Sequence, residues 1–522
     1  MNSGLRILVS LLALTIVLYV VGCGGGSSIT QPPPATCQST ATIKCTRSGA
    51  VQGVGIRTLY AFRGIPYAAP PVGNLRWKAP QPPGSWKGTR DASNFGKVCP
   101  QFDFSGRLVG DEDCLTLNVY ISQNAPSQNL PVMVFVHGGS NSAGDAQILP
   151  AIVAQGVVMV TVQYRLGMLG FFANPLLTTE GGGSSAHYGL ADQVAALQWV
   201  HNNIAAFGGD PQHVMLFGQS AGGWDVQTLL AIPSAQGLFS VAGDESGPVP
   251  AGRLPDLSTL EAADQSFVSA AGCSGAADVL ACMRALSANT IVNLQTGYRF
   301  YSAIGSAFLP TDPFVALQQN GSPVPLLIGS NREEFALFES PNSGMDNNGY
   351  IAAVHQRFDP LGAGVANQVL SLYPSSAFIS PAYALIAVDT DFNFTCETRN
   401  IARAASGTNR QPVWRYLYTH TIENSTALHS LGAFHAQELF FVFGDFSGIN
   451  YTPTGPETTL STDMMGYWVR FAATGNPNGG GAVSWLRYDA TNDAMLQIDD
   501  NQVGLNGYKN GQCDYFSTLP QP

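Results

Sequence analysis

Charge is the scarcest component of this 522-residue chain. Asp, Glu, Lys and Arg together make up 11%, and 24 basic residues face 35 acidic ones, for a net charge of −11. A polynucleotide partner needs a clustered basic face, so no nucleic-acid binding is expected. There is no P-loop, no dinucleotide fingerprint and no cluster with metal-ligand spacing, so neither cofactor nor metal is expected. No internal repeat appears. Beyond residue 21 no apolar run approaches the roughly 20 residues of a membrane span. Apolar residues and glycine are plentiful instead, at 45% hydrophobic with 57 Gly and 33 Pro. That balance excludes a disordered tail, a coiled coil and a collagen-like fibre, and it predicts a large core with many tight turns. Length alone allows two or more domains, or one α/β enzyme with insertions.

The N-terminus predicts export. Arg6 precedes the apolar run Ile7–Val21, which is short for a membrane span and fits a signal peptide over residues 1–22. Val20-Val21-Gly22-Cys23 resembles a bacterial lipobox, which makes Cys23 the lipidated first residue of the mature chain and anchors it to a bacterial membrane on the periplasmic or cell-surface face. Gly24-Gly25-Gly26 and Pro32-Pro33-Pro34 then form a tether over residues 23–36. Of nine cysteines, eight remain, an even number that implies disulfides in an oxidising compartment. Spacing favours the local pairs Cys37–Cys45, Cys99–Cys114 and Cys273–Cys282, leaving Cys396 with Cys513. Eight cysteines allow about 105 connectivities, however, and spacing does not decide among them.

Continuous β-branched runs at 131–136, 156–162, 213–217 and 324–328 read as strands buried on both faces. Leu190, Val194, Leu197, Val200 and Ile204 recur at helical spacing between Tyr188 and Phe207, and a second helix is expected over 221–231. Alternating strand and helix argues for an α/β fold, a mostly parallel central sheet with helices on both faces. Residues 342–348 and 452–459 read as loops.

Gly218-Gln219-Ser220-Ala221-Gly222 is a G-x-S-x-G motif lying between a strand and a helix, the setting of a nucleophile elbow. A serine hydroxyl needs a base and an acid to orient that base. In the order nucleophile, acid, histidine, only His355, His420, His429 and His435 follow Ser220. His435 stands in a loop running into an apolar helix start. The pair Glu333-Glu334 closely follows a buried strand, although such a pair is ordinarily solvated surface. His137-Gly138-Gly139-Ser140 has the form of an oxyanion loop and places donors at Gly139, Ser140 and Ala221. His137 precedes Ser220 and reads as a structural hydrogen-bonder.

Further motifs carry a resemblance. Gly64-Ile-Pro-Tyr-Ala68, Leu75-Arg76, Glu112-Asp-Cys114, Tyr164-Arg-Leu-Gly167, Asp192-Gln193, Phe207-Gly-Gly-Asp-Pro211 and Phe217–Gly223 occur in order. They are similar to those of the type-B carboxylesterase and cholinesterase family of α/β-hydrolases, over roughly residues 51–516. The resemblance implies an α/β-hydrolase fold with large helical insertions, as a single domain over 37–522. It implies Ser220 as nucleophile, Glu334 as acid and His435 as base. It also implies disulfides at Cys99–Cys114, Cys273–Cys282 and Cys396–Cys513, with Cys37–Cys45 left as a local pair.

Several positions depart from the family pattern. Gln219 stands where glutamate is usual, which favours neutral or anionic substrates. Phe335 replaces a common glycine after the acid. Ser140 and Asn141 replace a glycine–aromatic pair and make the oxyanion loop more polar. Asp225 either supports the triad from behind or faces solvent. The Cys99–Cys114 loop has Phe102 and Phe104 but no tryptophan, which disfavours choline esters. The expected activity is serine carboxylic-ester hydrolysis of neutral esters through an acyl-enzyme, with a small-molecule or lipid-like ester as partner. A non-catalytic binding protein on the same fold and a cell-surface lipase or polyester hydrolase are the alternatives. Trp224, Phe300, Tyr301 and Phe338 are candidate pocket walls.

Overall fold

The computed structural model describes residues 37–103, 105–124, 128–407 and 411–520. The expected signal peptide, Cys23 and the tether lie outside the described residues, as does Phe104. An eleven-stranded sheet organises the rest. Its strands are β1 (Val54–Ile56), β2 (Leu59–Pro66), β3 (Thr116–Ser122), β4 (Leu130–Val136), β5 (Val158–Val162), β6 (Gly209–Gln219), β7 (Val241–Glu245), β8 (Leu326–Asn331), β9 (Val413–Tyr418), β10 (Ala494–Ile498) and β11 (Val503–Asn506). In space they run β11-β10-β9-β8-β7-β6-β4-β5-β3-β2-β1. Neighbours from β5 to β10 pair in parallel, and β1, β2, β3 and β11 add antiparallel margins. This is the α/β-hydrolase arrangement.

The apolar runs are continuous because each face of the sheet has its own core. Val132, Val134 and Val136 of β4 join Val158, Val160, Val214 and Leu216 on one face. Met133 and Phe135 join Met159, Met215 and Phe217 on the other. Alternate residues therefore enter different cores, so both sets are buried.

Helix α1 (Tyr188–Asn203) packs on the first face and tightens into a 3₁₀ turn at Ile204–Phe207, closed by Gly208 at φ 88°. Its Asp192 takes both Arg165 Nε (2.7 Å) and Nη2 (2.8 Å) in a fully buried fork. Two of the motifs are thus one ion pair. Arg76 and Glu112 form another, at 2.7 and 2.5 Å. Four disulfides close as the spacing favoured: Cys37–Cys45, Cys99–Cys114, Cys273–Cys282 and Cys396–Cys513. Among the described residues no helix is long and apolar enough to cross a membrane.

Two local expectations need correction. Residues 452–459 are not all loop, because the 20-residue helix Gly455–Thr474 begins inside them. Pro456 sits in its first turn, where a missing N–H costs nothing, and Thr454 with Glu457 forms a capping box. The segment that breaks a helix interior here starts one. The β8 strand also runs later than expected. Gly329, Ser330 and Asn331 pair with Tyr416, Leu417 and Tyr418 instead of ending the strand. The polar side chains of Ser330 and Asn331 are buried at its C-terminal end, beside the residues described next.

Candidate functional site

β6 ends at Gln219, and α2 (Ala221–Leu229) begins two residues later. Ser220 makes the turn alone, at φ 56° and ψ −125°, a backbone state that costs a non-glycine residue of order 1–3 kcal/mol. It is held there from both sides. Ser220 N–H donates to the Glu245 carbonyl at 2.8 Å, and Trp224 N–H donates to the Ser220 carbonyl at 3.0 Å. The flanking glycines are sterically required. A Cβ on Gly218 would lie 2.4 Å from the Gly222 oxygen, and one on Gly222 would lie 2.1 Å from the Val136 oxygen.

The loop after β4 packs directly on this turn. A Cβ on Gly138 would meet the Gln219 carbonyl at 2.6 Å and Ser220 Cβ at 2.9 Å. Gly139, Ser140 and Asn141 all have positive φ, at 106°, 55° and 55°. The N–H groups of Gly139 and Ser140 have no acceptor among the described residues. Ala221 opens α2, where the N–H has no intrahelical partner.

Buried side chains fix the loop. Asn141 Nδ2 donates to Asp225 Oδ1 (3.1 Å), and Tyr164 donates to Asn141 Oδ1 (3.1 Å) and the His137 carbonyl (2.8 Å). Gln193 donates to the other Asp225 oxygen. Burial pushes the Asp225 carboxyl up to about 7, against the pull of these amides. Asp225 therefore holds the loop after β4 through Asn141 and does not face solvent. His137 stacks on Tyr164 at 4.5 Å, and its Nδ1 lies 2.9 Å from the Gly138 carbonyl, which fits a structural role.

The imidazole arrives from the far side of the sheet. His435 precedes the helix Gln437–Phe443 and is 5% exposed. Its Nδ1 lies 2.6 Å from Glu334 Oε2, while Glu334 Oε1 accepts the Asn331 N–H at 2.7 Å. With Nδ1 donating to the carboxylate, Nε2 carries the lone pair. That lone pair faces Gln219 Nε2 at 3.3 Å, so the ring lies beside the residue preceding Ser220. The Ser220 hydroxyl makes no direct hydrogen bond to the ring among the described contacts. Catalytic bonds of this kind commonly close only when substrate binds.

Glu333 has a different task. It pairs with Arg332 (2.5 Å) and accepts the Ala433 N–H (2.8 Å), pinning the loop that carries His435. Burial opposes charge on His435, but Glu334, and then Glu438, more than offset it and hold the imidazole above its ordinary 6.5. Glu438 itself is pushed up to about 7 by burial and by Glu334.

Sequence reasoning missed the layer behind the imidazole. Asn331 donates to the Phe434 carbonyl (2.7 Å) and to Glu438, and Trp468 donates to Glu245 (2.5 Å). Glu438 follows His435 by three residues at the start of a helix, but nothing in that spacing shows that it is buried.

Phe338, 60% exposed, and Phe394 stand 5.3 Å from the His435 ring. Trp224 and Tyr301 border a small cavity of about 10 Å³ with Asn141 and Asp225, whereas Phe300 is buried with its carbonyl 3.4 Å from Asn141 Nδ2. Among the described residues one group has metal-like spacing, His420 with Asp499 and Asp500. Its ring is already in polar contact with both aspartates, at 3.4 and 3.3 Å, and with Glu457 at 3.2 Å.

The profile of the "Carboxylesterase family" matches residues 39–516. The chain belongs to that family. This esterase is 35% identical to the para-nitrobenzyl esterase of Bacillus subtilis (strain 168) over 485 residues, 88% of this chain and 94% of that protein. It is 33% identical to the cocaine esterase of Homo sapiens, over 88% of each chain. It is 32% identical to the fumonisin B1 esterase of Sphingopyxis macrogoltabida, over 89% of this chain and 88% of that one. Among solved structures, a PNB esterase superposes with a TM-score of 0.78 at 33% identity, covering 91% of this chain and 99% of that chain. The esterase is thus a serine hydrolase of carboxylic esters, not a pure binding protein.

Proposed function

We propose that Ser220 is the nucleophile, His435 the general base and Glu334 its orienting acid. In this reading Ser220 Oγ attacks the ester carbonyl as His435 Nε2 takes its proton. Glu334 stabilises the imidazolium, and the N–H groups of Gly139, Ser140 and Ala221 receive the oxyanion. His435 then protonates the departing alcohol. Water deprotonated by the same Nε2 releases the acid from the acyl-enzyme. The observation that carries this reading is His435 held by Glu334 at 2.6 Å with its other nitrogen against the elbow. Ser220→Ala is expected to lower kcat on a p-nitrophenyl ester by about 10⁴-fold or more and to abolish labelling by a fluorophosphonate. Turnover unaffected by the substitution overturns the assignment.

We also propose that residues 37–522 form a single domain tethered through lipidated Cys23 to a bacterial membrane, with residues 1–22 removed. The four disulfides support export, and the lipobox-like sequence supports anchoring. Cys23→Ser is expected to move the esterase from the membrane fraction to the soluble one. Unchanged fractionation refutes the anchor.

A further inference from the structure

His420 is a buried imidazole with three carboxylates around it and no part in the hydrolytic steps. It follows β9 by two residues, and its side chain is 3% exposed. Its Nε2 lies 3.2 Å from Glu457 Oε1. Its Nδ1 lies 3.4 Å from Asp499 Oδ1 and 3.3 Å from Asp500 Oδ1, directly after β10. His420 and Asp499 are 79 residues apart, so no local motif announces the group.

The two nitrogens of the ring are held differently. Glu457 is fully buried and satisfied as an anion, because it also accepts the Glu423 N–H (3.1 Å), the Thr454 N–H (2.7 Å) and the Tyr451 hydroxyl (2.6 Å). His420 Nε2 therefore carries a hydrogen and donates it to Glu457. A carboxylate in that place is the usual companion of a metal-bound imidazole, since it fixes the tautomer and makes the opposite nitrogen more basic. Nδ1 then aims its lone pair at two carboxylate oxygens, which repel it unless a cation, proton or metal, lies between them. Charged hydrogen bonds are shorter than these contacts, at about 2.7–2.9 Å. Four ligands placed tetrahedrally about 2.0–2.1 Å from a metal ion, by contrast, stand roughly 3.3–3.4 Å from one another. The aspartates are oriented for the same task. Thr419 Oγ1 donates to Asp499 Oδ2 (2.7 Å), and Oδ1, which accepts the Asp500 N–H (2.9 Å), is turned to the ring. The Asp499 and Asp500 side chains are partly open to solvent, so an ion and a water ligand can reach them.

We propose that His420, Asp499 and Asp500 bind a divalent ion of the zinc type, with water as the fourth ligand. One imidazole nitrogen with two carboxylate oxygens suits Zn²⁺, whereas Ca²⁺ and Mg²⁺ favour shells of oxygen alone. The ion ties the end of β9 to the end of β10 and, through Glu457, to the first turn of the helix Gly455–Thr474. Gln437 Nε2 donates to the His420 carbonyl at 3.0 Å, so the clamp also supports the helix start that follows His435. Its role is structural, and no hydrolytic step passes through it.

The test titrates Zn²⁺ into the untagged, EDTA-treated protein, with calorimetry reading binding and thermal unfolding reading stability. The wild type is expected to take up one equivalent with a Kd of about 10 µM or tighter and to melt higher in its presence. Excess Mg²⁺ or Ca²⁺ should not displace it. Asp500→Asn, at the open edge of the group where folding is least at risk, should weaken binding by about tenfold to a hundredfold and remove the rise in Tm. The exposed pairs His213–Asp210 and His355–Asp359 are the places for adventitious zinc. A double variant with His213→Gln and His355→Gln should therefore keep the tight equivalent. Weaker binding by the wild type, binding that Asp500→Asn leaves unmoved, or a tight equivalent lost in the double variant overturns the proposal.

Discussion

Replacing Glu334 by glutamine removes one charge and almost no volume. The amide oxygen can still accept the Asn331 N–H that now lies 2.7 Å from Oε1. The amide nitrogen then takes the place of Oε2, 2.6 Å from His435 Nδ1, and it can only donate. His435 must accept there and carry its proton on Nε2, the nitrogen that should remove the serine proton. The expected loss is about 10³–10⁴-fold in kcat, or about 4–5.5 kcal/mol at ~1.36 kcal/mol per decade.

The pH profile supplies a second readout. Burial disfavours the imidazolium, and Glu334 with Glu438 raises the imidazole above 6.5 despite it. The neutral ring is the base, so kcat/KM should fall as pH drops through a midpoint above 6.5. In Glu334→Gln burial is opposed by Glu438 alone, and the midpoint should move down. Initial rates on p-nitrophenyl butyrate from about pH 5 to 9 measure both effects, with Glu333→Gln as a control expected to keep the wild-type midpoint. A Glu334→Gln rate within tenfold of wild type and an unmoved midpoint refute the assigned role.

Other substitutions probe the frame around the site. Gly138→Ala drives a methyl to within 2.6 Å of the Gln219 carbonyl and 2.9 Å of Ser220 Cβ, so kcat should drop by about 100-fold or more, as stopped-flow or steady-state assays would show. Asp244 is fully buried, accepts the Gly247 N–H at 3.0 Å and is pushed up to about 7 by burial. Its folded value exceeds the unfolded one, so the wild type loses stability as pH rises from about 4 to 7 and does not regain it above. Asp244→Asn lacks that loss, and its advantage in unfolding free energy, read from urea titrations, should grow from pH 5 to pH 8 by about 2.5–3 kcal/mol. Removing the Cys396–Cys513 disulfide, which spans 117 residues, should cost about 4–5 kcal/mol on the chain-entropy view and lower the urea midpoint, with a steeper slope because the freed unfolded chain exposes more surface.

The parts of the site that were legible in sequence are those whose chemistry is carried by backbone geometry. An elbow needs glycines at fixed offsets from Ser220, and an oxyanion loop needs them after a strand, so both leave a local pattern. His435 and Glu334 had no such pattern. Chain order narrowed them, and resemblance to a family made the choice. Glu333 and Glu334 differ in sequence by one position, but one ties down a loop and the other holds the ring, a distinction made by the 3₁₀ turn at Glu334–Leu337. Asp225 and Glu438 were opaque for a different reason. Their meaning depends on partners tens or hundreds of residues away, such as Gln193 for Asp225 and Asn331 for Glu438. The helix starting at Gly455 was missed because proline and glycine break a helix interior but are tolerated at its first turn.

The bridge between Cys396 and Cys513 also bears on what a protease could do to this molecule. Everything from residue 397 to residue 512 is enclosed by it, and that stretch includes His435 and three strands of the sheet. A single cut inside the enclosed stretch would separate no fragment. The two pieces would migrate together until a thiol reagent was added, and the imidazole would stay tethered within reach of its serine.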